Sequence, residues 1–313
     1  MALTNSLGRR PLRSFSEMID RRVEGVLHRT GRAAGPSTGL EQQIEELRKQ
    51  LGQLQDKQRS LELLLDGTGR GTARTPTPAQ LNKLADQIAA ITGDAAAAKR
   101  NVYVGFRLLV AVESLGVGRI AGSTMNICGK LATTPLLDAP NDDVLEIGTL
   151  YGLFAAALLR MLERLGRDPQ LTVVDPLIGA QHQTGATMRP DASGTPVREA
   201  AVRTNLSLAG EAGAAARIQV GYSTDPDTRA AVGDRSYGVV IVDGDHSYEG
   251  VATDLDWAEE IAAPGGIVVL DDYGDDKWRG VQQAVDEHLA GGGKHTRFTL
   301  LGRVSTSGYL RAR

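Results

Sequence analysis

Asp143-Val144-Leu145-Glu146-Ile147-Gly148-Thr149-Leu150-Tyr151-Gly152 is followed by an Ala- and Leu-rich run from Leu153 to Leu165. The quoted stretch begins as an apolar run of strand length, passes into a turn with two glycines, and leads into a segment of helical period. Strand, glycine turn and helix open a nucleotide-binding α/β unit, in which small residues let a ligand approach the backbone. Thr-Leu-Tyr separates Gly148 from Gly152, so no G-x-G-x-x-G can be read. A nicotinamide oxidoreductase is disfavoured on that ground.

The chain downstream repeats the strand-then-carboxylate design. Gln170-Leu-Thr-Val-Val-Asp175 is a β-branched strand ending 27 residues after Gly148. A carboxylate at that tip is placed to hold ribose hydroxyls, and the alternative is a turn aspartate before Pro176. Tyr237 to Val242 is an apolar run suited to a central parallel strand, and it stops at Asp243, Asp245 and His246. Pro264 to Leu270 is another, ending in Asp271 and Asp272. Neighbouring parallel strands bring Asp243, Asp271 and Asp272 to one edge, where they repel one another unless a cation lies among them. All-oxygen ligands favour a hard divalent ion, Mg²⁺ first, with Mn²⁺ or Ca²⁺ behind it. The competing readings are a capping pair for Asp271–Asp272 and a turn histidine opening a helix at Tyr248 for His246.

Glu146-Ile-Gly-Thr, Asp243-Gly-Asp-His-Ser-Tyr248 and Gly265-Gly-Ile-Val-Val-Leu-Asp271-Asp272 together resemble class I S-adenosylmethionine-dependent methyltransferases. Within that class the pairing of the last two motifs resembles the metal-dependent sugar O-methyltransferases of natural-product biosynthesis, the macrocin and mycinose type, and also the broader group of small class I methyltransferases. The resemblance runs from about Asp143 to the C-terminus. The resemblance implies an α/β, Rossmann-like sheet of parallel strands closed by a C-terminal antiparallel hairpin, here Phe298 to Val304 and Gly308 to Arg311. It implies a donor site for S-adenosylmethionine at Glu146, Gly148, Thr149, Tyr151, Gly152 and Asp175, with Tyr222 and Ser223 beside the adenine. It also implies Mg²⁺ (or Mn²⁺) on Asp243, Asp271 and Asp272, and catalysis by His246 with Asp243. Some members use an aspartate as the general base, so the base stays open between His246 and an aspartate. The expected acceptor is a sugar or other small hydroxylated metabolite. A catechol or phenol acceptor, and a non-catalytic coiled-coil protein with a methyltransferase-like domain, are the alternatives.

Composition bounds the rest. The net charge of −3 over 313 residues does not favour an extended nucleic-acid groove. Cys128 is the only cysteine, which excludes an intrachain disulfide and a cysteine-based zinc site. No apolar run is long enough to span a membrane, and the Arg-rich start lacks an apolar signal core, so a cytoplasmic protein is expected. His28, His288 and His295 lie away from the strand tips and are read as solvated.

Ahead of the core, Leu40, Ile44, Leu47, Leu51, Leu54, Leu61 and Leu65 follow steps of four and three, with Gln58 in the vacant place. That is a heptad pattern, and so narrow a stripe needs another helix, by preference from a second copy of the chain. The expected organisation is a poorly ordered Arg-rich arm at 1–39 with one short helix from Ser16 to His28, a coiled-coil helix at 40–66 and a linker at 67–78. A helical region at 79–119 and a methyltransferase domain at 120–313 follow. Helices are expected over Ala79–Thr92, Asn101–Leu115, Thr124 to about Pro135, Val197–Leu208, Ser247–Ala263 and Asp276–Leu289. The polar stretch Leu177 to Pro196 reads as a lid carrying His182, Gln183 and Arg189.

Overall fold

The computed structural model describes residues 38–65, 75–181, 191, 193–291 and 296–313. The Arg-rich arm, where a short helix is expected, most of the Gly-rich linker, His28, His182, Gln183, Arg189 and His295 lie outside the described residues. The chain divides into residues 1–60 and 61–313. The helix α1 (Thr38–Leu65) runs over the heptad stretch, with Leu47, Leu51 and Leu54 exposed.

In the larger unit, α2 (Pro78–Thr92) starts on a reciprocal cap, in which Thr77 and Gln80 satisfy each other's backbone N–H, and stops at Gly93 in the left-handed region. The next helix, α3 (Ala95–Leu115), begins six residues before the expected Asn101. The Asp94 carboxylate accepts from Ala97 N at 2.8 Å, so the alanine run from Ala95 is capped and helical. Then come α4 (Thr124–Thr133), β1 (Asp143–Ile147), α5 (Leu153–Glu163) and β2 (Gln170–Asp175). They are followed by α6 (Glu199–Leu206), α7 (Glu211–Ala214), β3 (Arg217–Val220) and α8 (Pro226–Val232). The chain ends with β4 (Tyr237–Val242), α9 (Tyr248–Ile261), β5 (Ala262–Leu270), α10 (Arg279–Leu289), β6 (Phe298–Val304) and β7 (Ser307–Ala312). Helix α8 was not read from the sequence. Its start is nonetheless marked by Asp225 at the N-cap and Pro226 in the first turn.

The sheet has seven strands in the order β3-β2-β1-β4-β5-β7-β6, with β1 to β5 parallel and β7 antiparallel to both neighbours. This is the parallel sheet with a closing hairpin that the sequence predicts. Residues alternate between its two faces, as the strand period requires. Val239 and Ile241 of β4 join the core formed with α2 to α6, whereas Val240 and Val242 join the core formed with α8 to α10. With both faces covered, β4 is buried along its whole length. The helices ahead of the core sheet are part of the same packing, since Leu84, Ile88, Val102 and Leu131 share one cluster with Leu171 and Ile241.

Strand order reverses between β1 and β4, and in an open α/β sheet a crevice forms at such a point beyond the C-terminal strand ends. The backbone ladder continues one residue past the strands there. Asp243 N donates to Ile147 O at 2.9 Å, and Asp271 N donates to Val242 O at 3.0 Å. Gly148, Asp243 and Asp271 therefore start neighbouring turns at one edge. No described helix is long and apolar enough to cross a membrane.

Candidate active site

A cavity of about 500 Å³ opens over this edge. One wall is built on Gly148, which has φ +82°. A Cβ on Gly148 would stand 2.2 Å from the Asp243 carbonyl oxygen, so β1 and β4 converge at a spacing only glycine allows. Leu150 also lies in the left-handed region, at φ +55°. The turn is held by Asp175, whose Oδ2 accepts from Thr149 N at 2.8 Å and Leu150 N at 3.1 Å, and whose Oδ1 accepts from Leu177 N at 2.8 Å. Asp175 thus lines the cavity with a carboxylate that also cross-braces two loops. Its pKa is raised by burial, against those three backbone hydrogen bonds.

Of the residues expected at the donor site, Glu146, Gly148, Thr149, Asp175, Tyr222 and Ser223 line the cavity. Tyr151 and Gly152 are not brought to it. The Tyr151 ring is fully buried under Gly118, and its hydroxyl donates to the Thr195 carbonyl. Gly152 is the left-handed N-cap of α5 and packs against Val202. Glu146 is 2 % exposed, and its Oε2 has no hydrogen-bond partner. Burial pushes its carboxyl up to about 8, with the neighbouring charges of Asp243 and Asp175 adding to the rise and the Thr149 hydroxyl and Lys130 opposing it. Asp254 of α9 and Arg119 ahead of α4 also face the cavity, though neither was singled out in the sequence. Asp254 is buried and raised to about 6 by that burial, opposed by the Ser223 hydroxyl and Arg229. Arg119 grips Asp191 with Nε at 3.1 Å and Nη2 at 2.8 Å, tying the stretch before α6 to the cavity wall.

Beyond that wall, the tips of β4 and β5 assemble the polar cluster. His246 Nδ1 lies 3.0 Å from Asp272 Oδ2, and Nε2 lies 3.4 Å from Asp243 Oδ1. Asp272 adopts φ +55°, a conformation aspartate tolerates better than most residues. Trp278 meets the His246 ring edge-on, with ring centroids 5.1 Å apart, and walls the cavity. Burial alone would lower the His246 pKa, but Asp243 and Asp272 outweigh it and raise it to about 10.

Two residues of α4 enter this cluster unannounced. Asn126 and Lys130 stand one turn apart on the same helix face. Lys130 Nζ is 2.6 Å from Asp243 Oδ2 and 2.6 Å from Asp271 Oδ1. Asn126 Nδ2 donates to Asp271 Oδ1 at 2.9 Å and to Asp272 Oδ1 at 3.3 Å. Burial lowers the Lys130 pKa, but Asp243 and Asp271 together leave it raised. Asp243 is held far below the usual carboxylate range by Lys130 and His246 in spite of its burial, while Asp271 is pushed up, chiefly by burial and by the charge of Asp243.

Asp243, His246 and Asp271 each offer a ligand atom within 4.8 Å of the others, and carboxylates with an imidazole are donors a divalent ion accepts. The fit fails on the space between them. The point shared by Asp243 and Asp271 is already bridged by the Lys130 ammonium.

The other singled-out aromatics and histidines are structural. Trp257 is 1 % exposed and packs in the α8–α10 core. His288, expected to be solvated, is half-buried with Nε2 2.9 Å from Glu259 Oε1, because α10 packs that edge against α9.

A family profile described as a methyltransferase domain (Methyltransf_24) matches residues 145–273. A search of curated proteins gave no match. Among solved structures, the O-methyltransferase NovP is 21 % identical over 73 % of this chain and 97 % of its own, with a TM-score of 0.45. The O-methyltransferase TomG of Streptomyces achromogenes, involved in tomaymycin synthesis and solved with S-adenosylmethionine, is 21 % identical over 67 % of this chain and 88 % of its own, with a TM-score of 0.42. A TDP-rhamnose 3'-O-methyltransferase of calicheamicin biosynthesis is 16 % identical over 75 % of this chain and 95 % of its own, with a TM-score of 0.40. The profile lies over β1 to β5, so residues 145–273 match a methyltransferase domain, and the β7–β6 hairpin closes the sheet beyond it.

Proposed function

We propose that the chain moves the methyl group of S-adenosylmethionine to a hydroxyl of a small hydroxylated acceptor, a sugar being the expected class. The observation that carries this reading is the charge of one continuous cavity. Six carboxyl side chains besides the largely neutral Glu146 line it, against the cations Arg119, Lys130, Lys277 and the protonated His246. A donor bearing a sulfonium and an ammonium suits such a cavity, whereas a phosphate-rich dinucleotide does not. The unpartnered Glu146 Oε2 supports the same choice, since a buried acceptor calls for a donor or a positive charge. Glu146, Gly148, Thr149, Asp175, Tyr222 and Ser223 are the residues assigned to the donor.

A sugar hydroxyl is a poor nucleophile at neutral pH, so its proton must leave as the methyl arrives. The cluster at the tips of β4 and β5 is assigned that task. Asp272 lies against His246 Nδ1 and holds a proton there, so that Nε2 can accept the acceptor's proton once the doubly protonated ring has lost its own. The longer Nε2–Asp243 contact marks the side at which an acceptor hydroxyl would replace a protein partner. The bound donor supplies a methyl group on positively charged sulfur, so alignment rather than covalent help is asked of the protein. No step is assigned to the divalent ion expected on Asp243, Asp271 and Asp272. The exposed Leu47, Leu51 and Leu54 of α1 support the expected pairing of that helix with a second copy of the chain.

The test is transfer from methyl-labelled donor to a panel of sugars and a panel of catechols. Labelled sugar, with one demethylated donor formed per methyl transferred, is the expected outcome. Transfer to catechols alone would replace the sugar by a phenol. Donor binding with no transfer to any hydroxyl would leave a non-catalytic domain and contradict the proposal.

A further inference from the structure

We propose that the Lys130 ammonium is the resident cation of the Asp243–Asp271–Asp272 cluster, standing where a divalent metal would stand, so that the site operates without one. Helix α4 carries the ammonium to the strand tips. Its N-cap, Ser123, accepts from Asn126 N at 3.1 Å and fixes the register that sends Asn126 and Lys130 to the strand tips. Lys130 is 3 % exposed and bridges two carboxylates at 2.6 Å each. The Phe154 ring lies 4.8 Å from Nζ and closes another side, so the amine has a hydrophobic wall behind it as well as anions in front.

The carboxylate oxygens are already committed. Five of the six oxygens of Asp243, Asp271 and Asp272 face Lys130 Nζ, Asn126 Nδ2 or a ring nitrogen of His246. Asn126 cannot turn its carbonyl towards them at no cost, because its Oδ1 accepts from the buried Ser307 hydroxyl on β7. Magnesium asks for near-octahedral oxygens at about 2.0–2.1 Å. An ion taking Asp243 Oδ2 and Asp271 Oδ1 at that distance would share both with the ammonium bonded to them. Two cations competing for the same oxygens in a buried site repel strongly. A buried amine left without its carboxylates is equally unfavourable, so neither partner yields the place.

Lys130 is thereby a positioning residue. It holds the Asp243 and Asp271 carboxylates together, with Asp243 facing His246 Nε2, without itself taking the proton. This deepens the proposed methyl transfer, and its consequence for turnover rests on that reading, but the occupancy of the cluster does not.

The experiment is a Mn²⁺ titration of the full chain, followed by calorimetry and by electron paramagnetic resonance of free Mn²⁺. It uses wild type and Lys130→Met, with donor binding measured separately on both. Wild type is expected to show no stoichiometric site up to roughly millimolar Mn²⁺, and Lys130→Met to bind it about tenfold tighter or better. A stoichiometric Mn²⁺ site in wild type overturns the proposal. So does a folded Lys130→Met that gains no affinity, since the ammonium would then not stand in the metal's place. If Lys130→Met does not fold, the wild-type titration decides alone. Loss of donor binding in wild type would instead sink the methyltransferase reading and leave the metal result standing.

Discussion

His246→Gln is expected to lower kcat by about 10²–10⁴-fold while leaving donor affinity nearly unchanged. Glutamine keeps a polar group beside Asp272 but cannot accept and hold a proton, so the proton-transfer role is removed together with the ring's positive charge. The pH profile gives the sharper signature. In the free protein, burial lowers the imidazole pKa but Asp243 and Asp272 raise it to about 10 on balance, so at neutral pH the ring is charged and cannot act as base. Activity in kcat/KM should therefore climb with pH from neutrality towards about 10, and Asp272→Asn should shift that limb to lower pH by removing one anionic partner. Stability runs the other way. A folded pKa raised above the ordinary 6.5 contributes stability in full below that value, and the contribution is lost as pH rises through about 10. An activity limb unchanged in Asp272→Asn, or a His246→Gln enzyme with wild-type kcat, would remove His246 from the role.

Gly148→Ala carries the second large effect, on the fold. A left-handed backbone at φ +82° costs an alanine about 1–2 kcal/mol. The new methyl would also stand 2.2 Å from the Asp243 carbonyl oxygen and 2.6 Å from the Gly244 Cα, both of them backbone atoms that cannot rotate away. Forcing β1 and β4 apart adds about 1–3 kcal/mol. The sum, roughly 2–5 kcal/mol, should appear as a large fall in melting temperature together with loss of donor binding. Gly166→Ala supplies the control. Its φ is +76°, but nothing lies within 4 Å of the added carbon, so it should show the backbone cost alone. Equal destabilisation by the two would mean that the β1–β4 convergence is not what glycine serves at 148.

What was legible in the sequence follows from where the signal is local. The β1 turn, the β4 and β5 runs and the carboxylates ending them are each contiguous, and an apolar strand that stops at an ionisable residue marks the catalytic edge of a parallel sheet. His246, Asp243, Asp271 and Asp272 could therefore be brought together before any coordinates. Lys130 could not, because it lies 113 residues before Asp243 and only the packing of α4 across the strand tips joins them. A trace existed, since Asn126 and Lys130 sit four apart on a helix whose other residues include Ile127, Cys128 and Leu131. Such a pair more often marks a solvated face, and nothing in the local pattern says which face is covered. Tyr151 shows the opposite failure. Its place in the glycine turn suggested a donor contact, but an aromatic ring between two loops is worth more buried, and Gly118 leaves it the room. The early start of α3 was readable from Asp94 and the alanines after it, an N-cap followed by the best helix formers.

Calorimetric titration of the wild-type chain with S-adenosylmethionine, in buffer carrying a chelator, tests the central claim most directly. The account predicts binding of one donor per chain, unaffected by the chelator and abolished by Gly148→Ala. An absence of binding to folded wild type would contradict the assignment of this cavity to a methyl donor, whatever the fate of the carboxylate cluster beside it.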